Sequence, residues 1–185
     1  MAKPSLKTPQ IRLRVVGVFY DQKLDWLKPG SIKDLLDLAV VQAGVTGPLT
    51  NFSYTSKAIV KLVAGKPALC NSLFGFAHNL TNQIKPSLGN KQRAAGYYKL
   101  FESTSVEKDS VTVHAWQYYV IRGENVKSNY WEGAVNKPDV SPAVPKATEG
   151  TPGFTPFDEF KLVAGDEVIW RNVSIVRNPQ TPPIY

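Results

Sequence analysis

The chain has 185 residues, 43% of them hydrophobic and 20% charged, with 14 prolines, a single cysteine at Cys70 and a net charge of +7. This is globular composition at the size of one domain, and it excludes a disordered polyelectrolyte. No apolar run approaches the roughly 20 residues of a membrane-spanning helix, and one cysteine excludes an intrachain disulfide, so a soluble chain without a membrane span is expected.

Charge is unevenly distributed. Residues 1–101 hold 14 Lys/Arg against 4 Asp/Glu, and residues 102–185 hold 8 against 11. No carboxylate occurs between Leu38 and Phe101. A basic half of this kind points to something negative, whether a polyanion, an acidic partner or the chain's own acidic half.

The N-terminal stretch MAKPSLKTPQ has no apolar core behind its lysine. It predicts no secretory signal and a cytoplasmic protein by default, although a mature exported form would look the same. Alternation of Ile11, Leu13 and Val15 against Arg12 and Arg14 predicts a strand over Ile11–Tyr20. Asp21-Gln22-Lys23 reads as a turn, Leu24–Leu27 as a return strand and Pro29-Gly30 as a stop. Ser31 followed by Asp34 is a capping pattern, and Ile32, Leu35, Leu36, Ala39 and Val40 share a helical face. A helix from Ile32 to Ala43, ending at Gly44, is expected.

Ala58–Val63 reads as a strand, Ala64–Pro67 as a turn and Leu69–Phe76 as a second apolar segment. Tyr97–Ser103 and Val111–Ile121 predict a second hairpin, turning through Glu107–Ser110. Residues 136–156 carry five prolines and few large apolar groups, so they predict an extended loop. Phe157–Val163 and Glu167–Val176 read as a last strand pair turning at Ala164-Gly165-Asp166. Residues 178–185 read as a polyproline-like arm, and residues 1–10 as an N-terminal arm. Lys-Leu-Val-Ala-Gly occurs at Lys61–Gly65 and again at Lys161–Gly165, a strand-into-turn solution used twice.

Together these elements predict an α+β fold in one domain, 1–185, mostly antiparallel sheet with one main helix and proline-rich arms. Four pieces occur in order: a hairpin with its helix at Ser31–Val41, the aromatic strand Ala115–Val120, Gly123 after it, and Phe160-Lys161-Leu162 leading to Gly165–Trp170. In that order they resemble the β-grasp-type module at the C-terminus of transcobalamin and in many bacterial surface proteins. The matching pieces are scattered over Pro29–Arg171, with long insertions at Val45–Leu100 and Asn125–Pro156. Arg122-Gly123 stands where that family has Asn-Gly. The resemblance implies a β-grasp fold, and ligand binding or adhesion more than catalysis.

Two sets of candidate site residues follow. On the Val111–Ile121 strand, Trp116 and Tyr118 point to one face, and with Tyr130, Trp131 and Trp170 they form either a core layer or an aromatic ligand-binding wall. Lys57, Lys61, Lys85, Lys91, Arg93 and Lys99 are candidates for contact with an acidic protein or a polyanion, since aromatic residues interleave with them. Neither a metal signature nor a phosphate loop is present, and two histidines with one cysteine do not supply a zinc set, so no cofactor is expected. Cys70 with His78, and the carboxylates Asp158, Glu159, Asp166 and Glu167, are the remaining chemical candidates. The reading is a non-catalytic binding or assembly subunit with a protein partner or a second copy of itself. The alternatives are a small-molecule binder and a polyanion binder.

Overall fold

The computed structural model describes residues 7–16, 20–43, 49–63, 66–80, 97–107, 110–128, 134–135 and 155–177. Strands β1 (Gln10–Val15) and β2 (Tyr20–Asp25) pair antiparallel, with Ile11 opposite Leu24 and Val15 opposite Tyr20. The expected turn at Asp21-Gln22-Lys23 is therefore inside β2. Tyr20 and Leu24 are buried while Asp21, Lys23 and Asp25 are exposed, so these turn-favouring side chains are the solvent half of an alternating strand.

A short β3 (Gly30–Ser31) leads into α1 (Ile32–Ala43), the helix expected from the sequence. Its start is a reciprocal cap. The Ser31 N–H donates to Asp34 Oδ2 at 2.6 Å, and the Asp34 N–H donates to Ser31 Oγ at 3.4 Å. Ile32, Leu35, Leu36, Ala39 and Ala43 recur at helical spacing and are buried. Glycine is required at position 30 by contact, because a Cβ there would sit 2.8 Å from Asp34 Oδ2 and 3.1 Å from Trp26 Cη2.

Strands β4 (Leu49–Val63) and β5 (Lys66–Leu80) form one long hairpin, and β6 (Tyr97–Phe101) adds to β5. Lys66 and Pro67, expected in a turn, open β5 instead. Beyond them run β7 (Ser103–Glu107), β8 (Ser110–Arg122) and β9 (Asn125–Ser128). The expected single strand over Tyr97–Ser103 is split at Glu102, whose N–H donates to Phe74 O at 2.9 Å while its carboxylate meets Lys57. The chain crosses there from the β5 edge to the β8 edge, so the hairpin partner of β8 is β7. Gly123, at φ 57°, makes the tight turn from β8 into β9.

The last elements are β10 (Ala134–Val135), β11 (Lys161–Leu162) and β12 (Glu167–Arg177). Contrary to the expected terminal strand pair, β11 bonds to β3 and not to β12. The reason lies at the helix start. The Ile32 and Lys33 N–H groups donate to the carbonyls of Phe160 and Phe157, so this segment satisfies donors that a helix leaves open. β12 runs parallel to β1 and antiparallel to β8, giving the sheet order β2-β1-β12-β8-β7, with β10 on β12 and β9 on β8.

The architecture is thus α+β, a mostly antiparallel strand-rich fold with one helix among the described residues. Cross-sheet rows such as Leu13–Val168–Val120 and Val15–Trp170–Tyr118 face the same core as α1. The root of the β4–β5 hairpin joins them through Phe52, Leu73 and Phe76. Of the expected proline-rich loop, only Thr155 and Pro156 are described; residues 136–154, 178–185 and 1–6 lie outside the described residues. The two Lys-Leu-Val-Ala-Gly copies fall in different settings, one ending β4 and the other spanning β11 and its following turn.

Candidate functional site

The aromatic residues come together, but inside the protein. Trp116, Tyr118 and Trp170 are 3%, 1% and 1% exposed. Phe76 lies edge-on to Trp116 and Trp170 at centroid distances of 4.8 and 5.8 Å, and Tyr118 meets Trp170 at 5.3 Å. The Tyr118 hydroxyl donates to the Thr155 carbonyl at 2.6 Å, and burial pushes its pKa upward, with Asp158 and Glu159 adding to the shift. Of the two sequence alternatives for these three residues, this is core packing. Tyr130 and Trp131 lie outside the described residues.

The opposite face of the main sheet is polar. Arg12 binds Asp21 through two hydrogen bonds of 2.8 Å, and Arg14 reaches Glu167 at 3.1 Å. Further in, buried Arg171 donates to the Tyr119 hydroxyl at 2.7 Å, and burial raises the Tyr119 pKa against the opposing effect of Arg171. Sequence reasoning did not single out Arg171 or Tyr119. The alternation along β8 and β12 carried the signal, since Gln117, Tyr119 and Arg171 share one face across the ladder.

The carboxylate candidates are divided among structural tasks. Asp158 accepts from Asn71 Nδ2 at 2.6 Å, Asp166 is held by Arg122, and Glu167 serves Arg14 and Arg12. Cys70 and His78 both lie on β5, eight residues apart, about 25 Å at the rise of a strand and too far for a nucleophile and its base. Among the described residues no group of three or more His, Cys, Asp or Glu side chains is placed to hold a metal.

The basic candidates are centred on the β4–β5 hairpin. Lys57 is exposed, meets Glu102 and lies over the Phe74 ring at 5.6 Å, while Phe74 stacks on Phe101. Lys61 is on β4 and Lys99 on β6. Lys85, Lys91 and Arg93 lie outside the described residues. Lys66, at the start of β5, is exposed as well.

Comparison with protein-family models, with curated proteins and with solved structures finds no match to this chain. The site therefore stands on its own geometry.

That geometry changes along the hairpin. At its root, Phe52, Leu73 and Phe76 are buried against the core, and Asn71 ties it to Asp158. The Tyr54 hydroxyl fastens it to the helix through Asp37 at 2.5 Å, and Lys33 holds the same carboxylate at 2.6 Å. Farther out the burial reverses. Val60 and Leu69, direct partners across the ladder, are 59% and 75% exposed, and Ala58 and Pro67 beside them are exposed too. The sequence showed the apolar residues but not that they pair across one exposed face, because register is a property of the folded ladder.

Proposed function

We propose that this chain is a non-catalytic binding module of β-grasp character that presents the β4–β5 hairpin to a negatively charged surface. The observation that carries it is a hairpin with no carboxylate of its own, in which Lys66 is exposed at the outer end and Lys57, exposed nearer the body, already attracts the carboxylate of Glu102 from outside the hairpin. A β-grasp reading is supported by the order of elements: a hairpin, a helix, and a late strand that returns parallel to β1 at the centre of the sheet. The transcobalamin-type resemblance belongs to the same proposal, and in it the residues between α1 and β8 are an insertion that supplies the contact surface.

The proline-rich segments 136–156 and 178–185 are assembly arms in this reading. Burial of Trp116, Tyr118 and Trp170 leaves these rings no open face for a ligand, so the small-molecule alternative gains no support.

The test is recovery of bound material from the native source on immobilised protein, with Lys57→Glu/Lys66→Glu alongside. Specific recovery by the wild type that falls with salt and with charge reversal is expected. Equal recovery by both proteins would overturn the assignment of the hairpin, and unchanged recovery after removal of both proline-rich segments would remove the arms from it.

A further inference from the structure

We infer that β7 is a docking edge whose occupant is β7 of a second copy of this chain, paired antiparallel across a two-fold axis so that two main sheets join. This goes beyond the reading of the β4–β5 hairpin and does not depend on it. The first observation is an open edge. β7 ends the order β2-β1-β12-β8-β7, and all five of its residues are exposed, Val106 at 75%. Edge strands are ordinarily blunted by charge, proline or a bulge. At the other end of that order β2 carries Asp21, Lys23 and Asp25. In β7, Ser103-Thr104-Ser105-Val106 has neither charge nor proline, and its register on β8 is unbroken.

The second observation is which backbone groups face outward. Two residues separate Glu107 from its ladder partner Ser110, and the pair closing so short a connection exchanges both backbone hydrogen bonds. By alternation Ser103 and Ser105 also bond to β8, and the N–H and C=O groups of Thr104 and Val106 face away from the sheet. A pairing centred on Ser105 sets Thr104 opposite Val106 of the second copy, and Val106 opposite its Thr104. Four backbone hydrogen bonds then satisfy every outward group of both β7 strands. Centring on Thr104 or on Val106 would pair only one such residue of each strand.

The side chains suit the same register. Thr104 and Val106 share a face with their β8 partners Val113 and Val111, both half-buried. Across the axis the row runs Val111, Val106, then Thr104 and Val113 of the second copy, β-branched neighbours that cover Val106. Glu107 falls opposite Ser103, so no like charges meet. β7 of the second copy ends opposite Ser103, short of Glu102, where this chain crosses to β6. Five residues a side bury less than the ~800 Å² per partner of a standard interface, so the dimer is weak and depends on concentration.

The experiment is sedimentation equilibrium of the full chain from about 1 μM to about 1 mM. A mass rising from monomer toward dimer is expected. Ser105→Lys and Ser105→Glu each set like charges directly across the axis, and each alone should weaken association about fivefold or more at low salt. An equimolar mixture of the two should restore it as a heterodimer. Val106→Pro removes an outward N–H and leaves the bonds to β8, and should weaken association about tenfold. Urea midpoints matching the wild type show that the Ser105 variants fold. Lys57→Glu/Lys66→Glu should dimerise as the wild type does.

A monomer at every concentration overturns the inference. So does a dimer that forms equally well in both Ser105 variants and in Val106→Pro, since its contact would lie elsewhere. Loss of association in the two Ser105 variants with no recovery in their mixture overturns the two-fold register. Association lost in Lys57→Glu/Lys66→Glu and kept in the Ser105 variants moves the contact to the β4–β5 hairpin and overturns the assignment of β7.

Discussion

Arg122 grips Asp166 with two hydrogen bonds of 2.8 Å, from Nε to Oδ1 and from Nη2 to Oδ2, joining the end of β8 to the turn that opens β12. Asp166 is buried, and its Oδ2 also accepts the Val163 N–H at 2.8 Å. Gly165, at φ 92°, gives the turn the left-handed residue it requires. One carboxylate thus shapes the turn and fixes where β12 enters the sheet between β1 and β8.

Asp166→Ala should lower unfolding free energy by about 1.5–3 kcal/mol, since hydrogen bonds to a charged group are lost. Arg122→Ala should cost at least as much, about 2–4 kcal/mol, because it leaves a buried carboxylate without its cation. The figure stays below that of a fully buried pair because the Arg122 side chain is 39% exposed. Urea midpoints with unchanged slopes would report both.

Gly30→Ala should destabilise by about 1–3 kcal/mol by overpacking, since the new methyl meets Asp34 and Trp26. The Asp34 carboxylate must shift, so the cap of α1 weakens in the same variant. Thermal unfolding followed by circular dichroism is the check.

Phe76→Ala should cost about 3–5 kcal/mol, as a fully buried ring touching Phe52, Trp116 and Trp170 is removed. Because the hairpin root shares the core with α1 and the main sheet, tryptophan fluorescence and far-ultraviolet dichroism should shift together. Separated transitions would show that the hairpin unfolds on its own.

Acid sensitivity follows from Asp34 and Asp21. Hydrogen bonds from Ser31 hold Asp34 below its ordinary pKa of 3.8, and the Arg12 guanidinium does the same for Asp21. Both carboxyls take up protons more readily unfolded, so their contribution is present above pH 3.8 and is lost as pH falls through their lower folded values. Asp34→Asn should flatten stability against pH in that window.

Alkali acts through Tyr54, whose pKa is pushed up to about 12 by burial first and by its hydrogen bond to Asp37 second. The unfolded phenol ionises first, so stability is lost as pH rises from 10.0 through about 12. Tyr54→Phe should lose less stability across that interval, and phenolate absorbance of the two proteins gives the difference directly.

What this sequence determined by itself is what depends on neighbours in the chain. The helix Ile32–Ala43 was legible in full because its cap, Ser31 with Asp34, and its buried stripe all lie between Ser31 and Ala43. The turn at Gly165-Asp166 and the strand over Val111–Ile121 were legible for the same reason, as was the basic, carboxylate-free stretch, while the choice between a core layer and a ligand-binding wall for Trp116 and Tyr118 was not. Pairing was not. That Tyr97–Phe101 joins β5 while Ser103–Glu107 joins β8, that Lys161–Leu162 bonds to Gly30–Ser31, and that Trp170 is core all depend on residues far apart in sequence. A strand records its alternation but not its neighbour, because ladder bonds are made by backbone groups that every residue shares. Only the tertiary structure could place Val60 opposite Leu69 outside the core and turn two ordinary strand residues into a candidate contact surface.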